Sequence, residues 1–333
     1  MMKKVLKVIR TVLLCILAVI VIAAGYLFIS PLLIRHNDAV TEGSRTWMSK
    51  LPDDALINEI AIPGTHDSAS MNVVLPYFAK CQASNIRTQL DDGFRYLDIR
   101  LGAKRVQNED RLLLYHGFCN CKESWTPWSK NLDLSSVLAQ CYSFLSDYPS
   151  ETIIFVVKME QGSDLKSFQM LLDSYISKGQ EKWLLTDTLP ALGECRGKIV
   201  LIRRYQDVCG LGKRAGIHME WVDQGENDDV TPSTEVVKQD NFTLLVQDRF
   251  KYGVEDKWNA FIAGLTAGSA DETAVRLSFL STNGTPKFGH PHSYAKTLNA
   301  KFLETDLSQY PRQWMIIDFT DAKLAEHIYS LNK

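Results

Sequence analysis

The chain has 333 residues, 45% apolar and 23% charged, with a formal charge of −2 and a pI of about 6.4. This is ordinary globular composition. It carries no basic tract beyond residue 10, which excludes a nucleic-acid footprint, and no internal repeat or low-complexity segment interrupts it.

The first element departs from that average. Lys3, Lys4, Lys7 and Arg10 precede a stretch, Thr11 to Ile34, without a single charge. Coiled as a helix, it exceeds the ~30 Å hydrocarbon core of a bilayer. The expected organisation is a basic cytoplasmic flank over 1–10, a transmembrane signal-anchor over 11–34, a linker over 35–50 and one domain over 51–333. The positive flank stays inside, so the expectation is a single-pass cell-membrane protein with its domain outside the cell. The competing reading is a signal peptide cleaved near Ala23-Ala24-Gly25, releasing a secreted protein. A signal peptide's apolar region usually runs only about 7–15 residues, which favours the anchor. Export also bears on Cys81, Cys119, Cys121, Cys141, Cys195 and Cys209. Their even number allows disulfides of open connectivity, with buried free thiols as the alternative.

From residue 55 onward short apolar runs alternate with amphipathic segments. The runs are Leu56–Ile62, Phe94–Leu101, Leu112–Gly117, Thr152–Met159, Lys198–Arg204, Phe242–Asp248, Arg276–Thr282 and Trp314–Phe319. Several are continuous apolar runs, the pattern of strands buried on both faces. Segments such as "LSSVLAQCYSFLSDY" and "VEDKWNAFIAGL" between them have helical spacing. This alternation predicts an α/β fold with a parallel sheet, and eight strands predict a closed or nearly closed TIM-like barrel.

In such a barrel the C-terminal strand ends carry the chemistry. Taken in order they hold His66 and Asp67, Asp98 and Arg100, His116, Lys158, Arg203, Asp248 and Asp318. Taken alone, "IPGTHDS" equally fits a turn at Gly64 and a helix cap at Asp67. The repetition of ionisable groups at corresponding ends of independent strands argues instead for convergence on one cavity. Two imidazoles can act as base and acid near neutrality, carboxylates can fix their tautomers, and arginine forks match phosphate oxygens. No strained Gly-x-Ser-x-Gly elbow is present. Base, acid and cationic clamp together suit phosphodiester cleavage.

The motifs "IPGTHDS", "GFRYLDIRLG", "LYHG", "FVVKME", "GKIVLIRR" and "VQDRFKY" resemble those of the bacterial phosphatidylinositol-specific phospholipases C, of the X-domain-like phosphodiesterase superfamily. The resemblance runs from about Leu51 to the C-terminus. It implies a distorted, incompletely closed (βα)8 barrel. It implies His66 as general base oriented by Asp318, His116 as general acid supported by Asp67, and Arg100, with Asp98 nearby, on the phosphoryl oxygens. Lys158, Arg203 and Asp248 match positions that bind inositol hydroxyls. Phe250 stands where the family usually has a ring-stacking tyrosine.

The products implied are diacylglycerol and inositol 1,2-cyclic phosphate. Arg100 occupies the place of a calcium-holding carboxylate in calcium-dependent relatives, so no metal and no cofactor are expected. "HGFCNC" mimics a zinc cluster but lacks an evident fourth ligand. The expected partners are phosphatidylinositol or a glycosyl-inositol lipid at a membrane surface, with the protein a monomer. Two other functions fit less well: a divalent-metal glycerophosphodiester phosphodiesterase and a non-catalytic inositide-binding protein. Trp125 and Trp128, and Leu75, Tyr77 and Phe78, fit either an interfacial surface or the core. Asn241 and Asn283 open sequons that matter only in a glycosylating host.

Overall fold

A computed structural model describes residues 2–332 except 40, 127, 225–233, 240, 269–270, 272 and 285–289. An apolar helix, Met2–Ile29, none of it buried, runs into a 3-10 turn, Ser30–Leu33. It is long and apolar enough to cross a membrane. The strands are β1 Ile62–Thr65, β2 Tyr96–Val106, β3 Glu109–His116, β4 Cys119–Asn120, β5 Ile153–Gln161 and β6 Trp183–Leu184. They continue as β7 Ile199–Arg203, β8 Ile217–His218, β9 Glu235–Lys238, β10 Thr243–Gln247, β11 Val275–Phe279 and β12 Gln313–Ile317.

Strands β7, β5, β2, β1, β12, β11 and β10 pair in parallel in that order. Short β6 and β8 lie along the outer edge of β7, and β9 runs antiparallel on β10. Among the described residues no pairing joins those two edges, so the barrel stays open. The parallel α/β barrel expected from the alternation is therefore present in its incompletely closed form.

Two of the eight expected barrel strands need correction. The run Leu56–Ile62 enters the sheet only at Ile62. Before it Ile57–Glu59 make a 3-10 turn, closed by the Leu56 N–H donating to Glu59 Oε2 at 3.0 Å. Ile57 and Ile60 bury with Trp314, whose indole donates to the Ile57 carbonyl at 3.2 Å. These residues plug the barrel floor, where apolar side chains are wanted without a strand. The third run belongs to β3, which folds back antiparallel on β2 through Gln107 and Asn108, both at positive φ. Two such residues in a row form the tight turn whose twist suits a hairpin, so β3 is an external flap.

Side-chain alternation sorts each strand into two layers. Tyr96, Ile154, Val156, Val200, Ile202, Leu244, Val246, Leu277, Phe279, Trp314 and Ile316 fill the barrel interior. Leu97, Ile99, Phe155, Val157 and Leu201 face outward under helices Leu134–Asp147 and Leu165–Ser177. Asp133 and Asp164 cap those helices by accepting from Ser135 and Ser167 N–H groups. Gly64 lets β1 approach its neighbours: a Cβ there would lie 2.2 Å from Ile316 Cδ1 and 2.9 Å from Tyr96 Cβ.

The cysteines are free thiols, five of the six beyond the apolar helix being buried. The open question of disulfides resolves toward packing. The segment expected as a linker is also structured. It lies along the barrel and anchors there through Trp47, whose indole donates to the Gly93 carbonyl at 2.9 Å.

Candidate active site

The inward-facing row of each barrel strand starts apolar and turns polar at its C-terminal end. Beyond Gly64 comes His66, beyond Tyr96 come Asp98 and Arg100, and beyond Val156 come Lys158 and Glu160. The same parity puts Arg204 beyond Ile202, Asp248 beyond Val246, Ser281 beyond Phe279 and Asp318 beyond Ile316. His116 arrives from the end of the β3 flap. Most of these groups line one cleft of about 540 Å³, the size of a small-molecule site.

Asp67 is the hub of the cleft floor. It does not cap a helix: a positive φ of 42° turns its carboxylate inward, and its N–H donates to Asp98 Oδ2 at 3.1 Å. Around its Oδ2 lie Arg100 Nη1 at 3.1 Å, His116 Nε2 at 3.3 Å and His66 Nε2 at 3.8 Å. The two imidazole rings stand edge to face, centroids 5.9 Å apart. His66 Nδ1 sits 2.8 Å from Asp318 Oδ1, and His116 Nδ1 sits 2.8 Å from the Ala79 carbonyl. A carboxylate and a carbonyl only accept, so both Nδ1 atoms carry a proton and each Nε2 faces the cleft. Arg100 also holds Asp98 Oδ2 at 2.9 Å and lies 3.6 Å from Glu160.

Burial sets the charges here. It disfavours the His66 imidazolium, but Asp318, with help from Asp67, outweighs it and raises the His66 pKa above its ordinary value. Burial pushes the Asp67 carboxyl upward, and Arg100 and both histidines only partly reverse this. Asp98 is buried too, yet Arg100, His66 and Arg204 hold it well below the usual carboxylate range. Burial, reinforced by the Asp318 and Asp67 carboxylates, pushes the Cys81 thiol well above its ordinary value; its Sγ lies 3.7 Å from His116 Nδ1.

The cleft wall is a second network. Lys158 Nζ contacts Asp223 Oδ2 at 2.6 Å and Glu160 Oε2 at 3.2 Å. Arg204 reaches Asp223 at 3.0 Å and Asp248 at 4.0 Å, with its guanidinium stacked on Trp221 at 3.5 Å. Phe250 lines the opening, its N–H donating to Gln224 Oε1 at 2.9 Å. Arg203 is a correction. Its side chain shares the outward parity of Leu201, where its Nη1 donates to the Tyr205 carbonyl at 2.6 Å. Of two consecutive arginines on a pleated strand only one can face the cleft, and the register selects Arg204.

For a metal, the described residues offer one cluster, His66, Asp67 and Cys81, with ligand atoms within 4.8 Å of one another. The Arg100 guanidinium already neutralises Asp67, so a cation there would meet a fixed positive charge. Cys119 and Cys121 instead pack into the outer core.

Residues 60–205 match the model of the phosphatidylinositol-specific phospholipase C X domain. A 1-phosphatidylinositol phosphodiesterase of Staphylococcus aureus is 28% identical over 302 residues, covering 85% of this chain and 90% of that protein. One of Listeria monocytogenes is 28% identical over 309 residues, covering 87% and 86%. Among solved structures, a phosphatidylinositol-specific phospholipase C from S. aureus superimposes with a TM-score of 0.72 at 27% identity, over 88% of this chain and 99% of that one. The Listeria enzyme gives 0.65 at 25% identity, over 87% and 99%. In sequence and fold the chain is similar to the bacterial phosphatidylinositol-specific phospholipases C.

The matched segment holds most of the floor and half of the wall, while Asp223, Asp248, Phe250 and Asp318 lie beyond it. Sequence reading missed Arg204, Glu160 and Asp223. Glu160 shares the parity of Lys158, a signal that was available. Asp223 sits on a loop with no pattern to mark it. Trp125 and Trp128 are strongly exposed, 65% and 84%. The Asn283 sequon ends at Thr285, outside the described residues, and Asn283 itself lines the cleft.

Proposed function

We propose that this protein is a phosphatidylinositol-specific phospholipase C that cleaves its lipid by intramolecular phosphotransfer without a metal. One observation carries the reading: two imidazole Nε2 atoms face the same cleft on either side of an Asp67–Arg100 pair. His66, its Nδ1–H held by Asp318, presents a lone pair at Nε2 and accepts the proton of the inositol 2-hydroxyl. That oxygen attacks the adjacent phosphorus, and proximity supplies part of the acceleration. The bond from phosphorus to the diacylglycerol oxygen breaks as His116 Nε2, backed by Asp67, donates its proton to that oxygen. Arg100 balances charge on the phosphoryl oxygens. Lys158, Arg204, Asp248 and Asp223 offer donors and acceptors to ring hydroxyls, and Phe250 offers a ring face. It keeps the stacking surface of the family tyrosine without the hydroxyl.

A divalent-metal phosphodiesterase fits less well because Arg100 stands among the carboxylates that would hold the ion. Both histidines count against a purely binding role. We read the apolar helix as a signal-anchor that leaves the barrel outside the cell, acting as a monomer on phosphatidylinositol or a glycosyl-inositol lipid.

The test uses protein lacking residues 1–34 on phosphatidylinositol vesicles in EDTA, with phosphorus NMR of the products. The expected result is cyclic inositol phosphate from the wild type and none from His66→Ala. Product that appears only on adding calcium would overturn metal independence. No product under either condition would overturn the activity.

A further inference from the structure

The barrel receives its chain at the wrong end for a tethered enzyme. The run Leu56–Ile62 plugs the floor, whereas the cleft opens at the opposite, C-terminal strand ends. A flexible tether joined at Leu51 would hold the protein by its floor. The segment between helix and barrel prevents this by lying against the barrel wall from mouth to floor. At the mouth, Lys80, itself buried, donates to the Pro31 carbonyl at 3.2 Å. Tyr26, near the end of the apolar helix, packs on Tyr77 with ring centroids 5.4 Å apart.

Lower down, Asn37 donates to Asp321 at 3.1 Å, and His36 pairs with Asp92 at 3.1 Å with both side chains under 10% exposed, at 8% and 9%. At the floor, Ser44 Oγ donates to the Asp91 carbonyl at 2.7 Å, and the Met48 N–H donates to Glu151 Oε2 at 3.3 Å. Asp91 and Glu151 lie on the N-terminal side of β2 and β5, which fixes this end as the floor. The segment that receives the helix through Tyr77 and Lys80 also builds the mouth. Leu75, Phe78 and Ala79 line the cleft, Ala79 holds His116, and Phe118, 80% exposed, stands on the rim.

We propose that this strap, residues 30–39 and 41–50, fixes the apolar helix beside the mouth, so that the cleft faces the leaflet the helix enters and draws its inositol lipid from that same membrane. The partner surface is the bilayer carrying the anchor. Continuity commits it to that occupant: the helix, with no buried residue, belongs to a stretch free of charge from Thr11 to Ile34 and leaves the barrel next to the rim. The proposal rests on the anchored phospholipase reading, and tethering raises the effective concentration of substrate only if geometry lets the cleft reach it.

The test reconstitutes the full chain, with Cys15→Ser and Cys209→Ser, into vesicles and attaches a nitroxide at Phe118→Cys on the rim or Gln309→Cys beside the floor. The rim label is expected to be shielded from an aqueous nickel chelate and reached by lipid-dissolved oxygen, and the floor label to be fully aqueous. A twelve-residue Gly-Ser insertion between Leu33 and Ile34, combined with Lys80→Ala, should make both labels aqueous. It should also cut hydrolysis of phosphatidylinositol in the same vesicle about tenfold, leaving mixed-micelle activity unchanged. Two aqueous labels in the uninserted chain, or a pattern the insertion does not move, would overturn the proposal. A shielded rim label without cleavage in mixed micelles would support the orientation and overturn the proposed activity instead.

Discussion

The floor and the wall of the cleft are built on the same strand ends, yet they are held differently. On the floor, His66, Asp67, Arg100 and Asp318 are nearly or wholly buried, and each bond goes to another strand end or to backbone. On the wall, Lys158 and Arg204 both close on Asp223, a loop residue whose side chain is half exposed. Buried, multiply bonded groups keep their geometry through a reaction, which suits those that move protons and meet developing charge. The Lys158–Asp223 pair, part-exposed on both sides, gains little from its own contact and can be exchanged for substrate hydroxyls at modest cost. The difference separates residues that set the rate from residues that set affinity.

Mutations sharpen that division. The largest expected effect is on the floor: His66→Ala or His116→Ala should each lower kcat by about 10²–10⁴-fold, with KM little changed, in a phosphatidylinositol turnover assay. Next comes Arg100→Lys, which keeps the charge but loses the fork that spans Asp67 and Asp98. A loss of about 10²-fold in kcat with an unaltered melting temperature is expected, and near-full activity would mean that point charge alone suffices there.

A smaller effect is expected on the wall, where Arg204→Ala should raise KM about tenfold with kcat nearly kept, while Arg203→Ala should leave both within about twofold. The reverse ranking would mean that the β7 register is misread. The smallest is Asp318→Asn. Asp318 raises the His66 pKa, and the base works only when neutral, so wild-type activity climbs as pH passes that raised value. Removing the carboxylate charge should move the acidic limb of the kcat/KM profile to lower pH, and an unmoved limb would show that His66 is not the group titrating.

Much of the site was legible because it is local. "IPGTHDS" and "YLDIR" each put reactive side chains just past an apolar run, and the order of such motifs along the chain mirrors the order of strands around the cleft. Legibility failed where parity or direction mattered. "LIRR" offers two arginines, and only pairing of β7 with β5 in a fixed register says which faces inward. "LLLYHG" reads as a strand in any barrel, and only the turn at Gln107 and Asn108 makes it antiparallel.

By itself, then, the sequence determined the apolar helix, the strand–helix alternation, and the chemical kinds of group at the strand ends, since hydrophobic period and residue type act within a few residues. The tertiary structure alone decided that β3 folds back on β2 as a flap and that Arg204, not Arg203, shares the inward face of β7. It also decided that Asp223 joins Lys158 to Arg204, and that residues 30–39 and 41–50 lie along the barrel as a strap. Each of these depends on contacts between segments far apart in the chain, whose free energy is settled only when packing fixes register and distance together.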